Sequence, residues 1–304
     1  MMLVLLLGGG LGWWSYRARV QRQAVSAIET VGGRVWYDWD QLDESRRRKP
    51  WPRWLVRAIG PDYLYDAVWV SFDLPHGWTT SEDIPIDQIA RLGRLEGLDL
   101  GGSSAVSDSS LAVLRGLTRL RRLGLDRTGI QGRSLVHLRG MTRLTSLSLE
   151  DIPLADVDLG HLRGLTWLDH LSVNSSGITS AGLEHLRGLT RLESLMLRDT
   201  HVDSLEPIAG LSGLKLLFLE STSLDDAGLA SIKPFRGLEF LELSRTLITD
   251  TGLPALYGLA NCSGINLSWT GVTPAGVAAL QAKLPHASIT TSYPPFGPKA
   301  AGAK

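Results

Sequence analysis

The chain is 304 residues long and carries 31 basic against 31 acidic side chains, a formal net charge of zero. That balance argues against general nucleic-acid binding, and a hydrophobic content of 43% excludes wholesale disorder. The single cysteine, Cys262, excludes an internal disulfide framework and any cysteine-rich zinc site.

From Met1 to Tyr16 there is no charge. This stretch is just under the roughly 17–25 residues of a membrane-crossing helix. Trp13, Trp14 and Tyr16, followed at once by Arg17 and Arg19, have the order of an interfacial aromatic belt with a basic flank. The pattern predicts a single-pass anchor over 1–16, and the basic flank places the body weakly on the cytoplasmic side. A cleaved signal peptide would need a basic start and a small-residue cleavage site before the arginines, and neither is present.

Residues 17–91 read as a juxtamembrane segment and N-terminal cap. Val20, Ala24, Val25, Ile28 and Val31 recur at helical spacing, and Gly32-Gly33 stops the helix. RVWYDWD alternates as a strand from Arg34, and AVWVSFDL over 67–74 alternates Val68, Val70, Phe72 and Leu74. Between them, Arg46 to Lys49 and the following PWPRW read as a loop.

The main signal is a repeat. The pair L-x-L recurs at Leu98/Leu100, Leu123/Leu125, Leu147/Leu149, Leu171/Val173, Leu195/Leu197, Leu217/Leu219, Leu241/Leu243 and Ile265/Leu267. The steps are 25, 24, 24, 24, 22, 24 and 24 residues, with Phe72/Leu74 as a degenerate copy before the series and Ile289 after it. A fixed period of this length means a solenoid. Alternation puts both leucines of a pair on one face of a short strand. A hydroxyl follows at Thr128, Ser176, Thr200, Thr222, Thr246 and Thr270, placed to bond backbone groups that the turn leaves unpaired. Thr179, Asp225, Thr249 and Thr273 then read as helix N-caps, and G-L-x-x-L supplies the buried stripe of a short helix.

Each unit resembles the leucine-rich repeat, L-x-x-L-x-L-x-x-T-x-I-x-x-x-G-L-x-x-L-x-x-L, in its ribonuclease-inhibitor-like and bacterial 24-residue forms. Leu238 to Leu259 shows the whole pattern. The head, QAVSAIETVGGRVWYDW, and the closing LQAKLPHASI are similar to membrane-anchored leucine-rich repeat proteins of planctomycete-type bacteria. The fold class expected is an α/β solenoid: a horseshoe of about eight full repeats over 92–290 with degenerate caps. Strands stack at about 4.8 Å while helices need about 10 Å, which puts the parallel sheet on the concave side and short helices on the convex side. The Pro/Gly-rich end, 291–304, is expected to be a disordered tail.

Within L-x-x-L-x-L-x-x the x positions around the paired leucines face solvent from the sheet. Met196, Leu216, Phe218 and Phe240 fall there on neighbouring strands, with Trp269 farther along. Large apolar side chains exposed together mark a contact site, and His170, Arg198, Glu220 and Glu242 would form its polar rim. The competing readings are that a flank or the tail covers this patch, or that it is a sheet face tolerant of sequence drift. A column of His137, His161 and His185 is spaced by a whole repeat, too far for shared metal ligation. No nucleophile elbow, P-loop, zinc-protease or dinucleotide-binding motif occurs.

These observations predict a non-catalytic scaffold, anchored to a membrane, that binds a protein partner on the concave sheet. No cofactor, metal, nucleic acid or small-molecule substrate is expected. The resemblance implies the same class, since leucine-rich repeat proteins commonly act in protein–protein interaction. A structural spacer of the cell envelope and a regulatory subunit of a separate enzyme are the alternatives.

Overall fold

The computed structural model describes the backbone of residues 2–38, 52–72 and 84–292, and the side chains from Gly12 onward within those ranges except that of Arg53. The basic run Arg46–Lys49, Leu74, most of the expected tail and the side chains before Gly12 lie outside the described residues. The chain forms two compact units, residues 1–130 with 140–144, and residues 131–139 with 145–304.

The first unit begins with helix α1, Met2–Thr30. Ala24 and Ile28 are fully buried and Ala18 and Val25 nearly so, the stripe expected of an amphipathic helix. Gln21 ties α1 to the next segment through both ends of its carboxamide: Nε2 donates to the Tyr65 carbonyl at 2.7 Å and Oε1 accepts from the Ala67 N–H at 3.2 Å. Gly33 follows where the chain presses on α1, since a Cβ there would stand 2.6 Å from both Ile28 and Phe72. Strand β1 (Arg34–Tyr37) pairs antiparallel with β2 (Ala67–Ser71), and β2 pairs parallel with β3 (Gly97–Asp99), which pairs parallel with β4 (Arg122–Gly124).

Two expectations for this unit are corrected. The PWPRW segment does not stay a loop: helix α2, Arg53–Ile59, starts directly after Pro52. Proline tolerates a helix start because its missing N–H has no partner there anyway. The degenerate first copy is Val70/Phe72, not Phe72/Leu74. Val70 lies opposite Leu98, the Phe72 N–H donates to the Asp99 carbonyl at 3.2 Å, and both side chains are buried. A slip of two residues keeps the same face inward, which is why alternation alone did not fix the register. The unit is completed by α3 (Ile86–Ile89) and α4 (Asp108–Leu114).

Among the described residues no helix is long and apolar enough to cross a membrane. Arg17, Arg19 and Arg22 follow the expected anchor over 1–16 as its basic flank, and most of that anchor precedes Gly12, where the described side chains begin.

The second unit is an α/β solenoid of leucine-rich repeat type. Its strands β5 (Ser146–Ser148), β6 (His170–Ser172), β7 (Ser194–Met196), β8 (Leu216–Phe218), β9 (Phe240–Glu242), β10 (Gly264–Asn266) and β11 (Ser288–Thr290) pair in chain order. Every pair is parallel, and the leucines stand in register: Leu147, Leu171, Leu195, Leu217, Leu241, Ile265 and Ile289. Short helical turns return the chain between strands. Ser180–Leu183 (α5) and Asp226–Leu229 (α6) are single α-turns, several others are 3-10, and Pro274–Lys283 (α7) is the one longer α-helix described in this unit.

The turn after each strand shows how these residues make a rung. Ser175, Asp199, Ser221, Arg245 and Trp269 have φ between 52 and 61°, a left-handed conformation costing roughly 1–2 kcal/mol in a non-glycine residue. Each also donates its N–H to a carbonyl of the next rung, at 2.8–3.0 Å. The following hydroxyl then bonds the carbonyl three residues back, as Ser176, Thr200, Thr222, Thr246 and Thr270 all do at 2.6–2.9 Å; Thr128 does the same in the first unit. The expected caps are present too. Thr179, Asp225 and Thr273 accept N–H bonds at their helix starts, and the Thr249 hydroxyl accepts the Thr251 N–H at 3.3 Å.

A clasp between successive rungs completes the design. Asp156, Asp226 and Asp250 each accept two bonds from a threonine of the next repeat. Thr179, Thr249 and Thr273 donate backbone N–H at 2.8 Å and hydroxyl at 2.5–2.6 Å. The carboxylate fills the space beside a glycine. A Cβ on Gly182, Gly252 or Gly276 would stand 2.0–2.4 Å from the same aspartate oxygen that accepts the N–H. The glycine at each of these three positions is therefore set by the aspartate behind it. Asp226→Ala is expected to cost about 1–2 kcal/mol. Gly252→Ala is expected to be destabilising in the natural chain but much less so when Asp226 is already alanine. A double-mutant cycle in urea denaturation measures the coupling, and additive losses would show that the clasp does not set the glycine.

Candidate functional site

Strands β6 to β10 present two outward columns. The first runs His170, Ser194, Leu216, Phe240, Gly264; the second runs Ser172, Met196, Phe218, Glu242, Asn266. Leu216 and Phe240 are in-register neighbours, as are Met196 and Phe218, and all four are half-buried. The Phe218 and Phe240 rings meet across the columns with centroids 5.5 Å apart and planes tilted 41°. The Phe240 ring also lies against Gly264, where a Cβ would come within 2.8 Å of it. The absence of a side chain at Gly264 thus gives Phe240 its place.

Arg198, just past β7, lays its guanidinium over the Phe218 face, 4.7 Å from the centroid, a cation–π contact. Glu220 sits between two arginines, 3.9 Å from both Arg198 and Arg245. The Arg198 N–H donates to Asn174 Oδ1 at 2.8 Å, which anchors that residue's backbone. At the strand entry, Lys215 Nζ donates to Glu193 Oε2 at 2.8 Å. This bond holds the Glu193 carboxyl below its ordinary value and the Lys215 ammonium above its own.

The structure therefore brings Met196, Arg198, Leu216, Phe218, Glu220 and Phe240 together. Three others stand apart from this cluster. Glu242 is only 7% exposed and serves the rung itself, accepting from the Ser244 N–H and from Asn266 Nδ2, both at 2.9 Å. Trp269 is not on a strand. It holds the left-handed turn after β10, with φ 61° and 46% exposure. His170 lies at the exposed edge and pairs with its neighbour Asp169 at 2.5 Å. Beside the patch, the hydroxyls of Ser172 and Ser194 are buried without a hydrogen-bond partner. Small size fits these two positions, because Met196 and Leu216 stand next to them in the same columns.

Elsewhere, Cys262 is buried, its thiol donates to the Gly264 carbonyl at 3.3 Å, and burial pushes its pKa up. A thiol so placed is a poor nucleophile. The histidine column is stitched to arginines of the preceding repeat: Arg139 meets His161 Nδ1 at 2.9 Å and Arg163 meets His185 Nδ1. Burial, then Arg139, lowers the pKa of His161. Among the described residues no group of three His, Cys, Asp or Glu is placed to hold a metal ion.

No protein-family profile and no curated protein matches the chain by sequence. Solved structures do match. Internalin C2 of Listeria monocytogenes superposes with a TM-score of 0.54 at 20% identity, over 69% of this chain and 84% of that one. A second internalin of the same organism gives 0.49 at 19% identity, over 69% of this chain and 71% of that one. A leucine-rich repeat protein of Leptospira interrogans gives 0.44 at 19% identity, over 67% and 62%. At these identities the likeness is one of fold, and the fold is the leucine-rich repeat solenoid.

Proposed function

We propose that this protein is a non-catalytic recognition scaffold that binds a protein partner on the sheet face of its second unit, and that the uncharged start of α1 attaches it to a membrane. The observation that carries the first part is the platform of Met196, Leu216, Phe218 and Phe240. Side chains this large are placed outward on four successive outward positions, while the stack beneath is already closed by its own leucines. None of the four is among the fully buried leucines of the core. Desolvating aromatic anchors beside an arginine is how a small group of residues dominates a protein interface. Arg198 and Glu220 supply polar edges already oriented by Asn174, Phe218 and Arg245. The fold likeness is compatible with this reading, since a repeat scaffold offers surface and not a catalytic cleft.

A photocrosslinking residue at Phe218 in intact cells tests it, with the same residue at Val157 as control. Val157 is 71% exposed and lies in a helical turn away from the strands. A discrete adduct at Phe218 that is missing at Val157 is the expected result. Equal labelling at both positions, or none at Phe218, would remove the site.

A further inference from the structure

A cleft of about 590 Å³ opens in the first unit between α1 and the turn after α3, lined among others by Trp13, Tyr16, Arg17, Val20, Arg91 and Arg94. Its charge is one-sided. Three guanidinium groups line it, and of these Arg17 and Arg94 share one carboxylate partner, Asp66. Arg119 is also close enough to act on Arg17, and the Asp38 carboxylate offsets these cations only in part. Burial, Arg94 and Arg119 together hold the Arg17 guanidinium below its ordinary value. Arg91 is exposed and has no ion pair among the described residues. One carboxylate cannot saturate the ten N–H donors of two arginines, so donors remain for an anion. The apolar side of the cleft is aromatic. Trp13 and Tyr16 are 61% and 66% exposed, and the helix turn that carries them continues directly into the uncharged Met1–Gly12.

We propose that this cleft binds the phosphate of an anionic phospholipid head group, gripped by Arg91 and by the outer donors of Arg17 and Arg94. The lipid's glycerol region lies against Trp13 and Tyr16. This proposal rests on the membrane attachment stated above and gives that attachment a lipid preference. A free phosphate would need only the arginines. The aromatic wall, contiguous with an apolar helix end, is what a lipid uses in addition, since tryptophan and tyrosine settle at head-group depth and basic clusters beside an apolar segment attract anionic lipid. Arg91 is the discriminating residue, because its guanidinium has no ion pair among the described residues.

Flotation of the full chain with two vesicle types tests this, one of phosphatidylcholine alone and one with about a third phosphatidylglycerol. The expected result is binding to both, with a preference of about tenfold for the anionic vesicles. Arg91→Gln should reduce that preference about fivefold, Arg91→Lys should restore part of it, and neither should change binding to phosphatidylcholine or the melting temperature. Arg236→Gln, a surface change in the second unit, should have no effect, and millimolar inorganic phosphate should not displace the protein. Equal binding to both vesicle types overturns the cleft as a lipid site and leaves the attachment standing. An equal loss with Arg236→Gln means diffuse attraction and overturns it too. Displacement by inorganic phosphate overturns the lipid as ligand. No flotation with either vesicle overturns the attachment and the site together.

Discussion

Leu195→Ala will lower the stability of the chain by about 3 kcal/mol, inside the range of about 2–5 kcal/mol found for buried leucines. Leu195 is fully buried and lies in register between Leu171 on β6 and Leu217 on β8. Truncation removes the transfer free energy of the side chain and leaves a cavity that neighbouring rungs, fixed by backbone bonds on both sides, cannot close. In a stack each rung is held only by its neighbours. A gap at β7 therefore weakens two interfaces at once, and the unfolding transition should broaden as the rungs on either side lose cooperativity. Leu247→Ala is the matched control. It deletes the same atoms from a leucine that is 67% exposed, and its unfolding free energy from urea titration should stay within about 0.5 kcal/mol of the parent. If the two variants lost the same stability, burial between rungs would not be what holds the second unit together.

The parts of this structure that recur were readable before any coordinates, because recurrence converts a weak local signal into a register. The strand leucines, the hydroxyls after β6 to β10 and the caps at Thr179, Asp225 and Thr273 all fall where the period puts them. Where the period fades, the reading slipped. Phe72/Leu74 satisfies alternation as well as Val70/Phe72, and only the pairing of β2 with β3 separates them. The helix after Pro52 lacked any repeat to compare with. The aspartate clasp was missed for another reason. It links residues 23 apart across a rung, and no one-dimensional pattern shows which oxygen fills the space over Gly252. Its trace is nevertheless present in two of the three clasps, since Asp226 and Asp250 each stand two residues before a glycine and are followed by a threonine cap in the next repeat.

The sheet face was legible as columns but not as chemistry. Counting outward positions finds Phe218, Phe240 and Glu242 alike. It cannot tell that Glu242 turns back onto the Ser244 N–H, or that Gly264 is the bed of the Phe240 ring. Trp269 stands outside the two columns because its backbone is in the left-handed turn beyond the strand, a place that strand alternation does not reach. The same device occurs in the first unit, where Trp69 lies across Gly97 and a Cβ at that glycine would stand 1.9 Å from the indole. An aromatic beside a glycine in one column is thus a readable sign of a ring laid flat across the sheet.

Replacing Phe218 and Phe240 together by alanine is expected to weaken partner capture by about 100-fold or more, the cost of losing two anchor side chains at the centre of an interface. The melting temperature should move by no more than a few degrees, because both rings lie outside the leucine stack that closes beneath them. Their mutual contact at 5.5 Å and the Arg198 contact on Phe218 contribute roughly 0.5–1.5 kcal/mol each, enough for a small shift and too little to unfold the unit. Arg198→Ala separates the two roles. If the arginine only steadies the ring, its loss should weaken capture about tenfold through a faster off-rate. If it also pairs with the partner, the loss should approach that of the double change. Gly264→Ala offers an independent route to the same answer, since a methyl 2.8 Å from the Phe240 ring must push it aside without deleting an atom. Capture that survives both the ring deletions and this displacement would mean that the partner sits elsewhere. A collapse of the fold in the double variant would mean that the two rings belong to the core and not to a binding face.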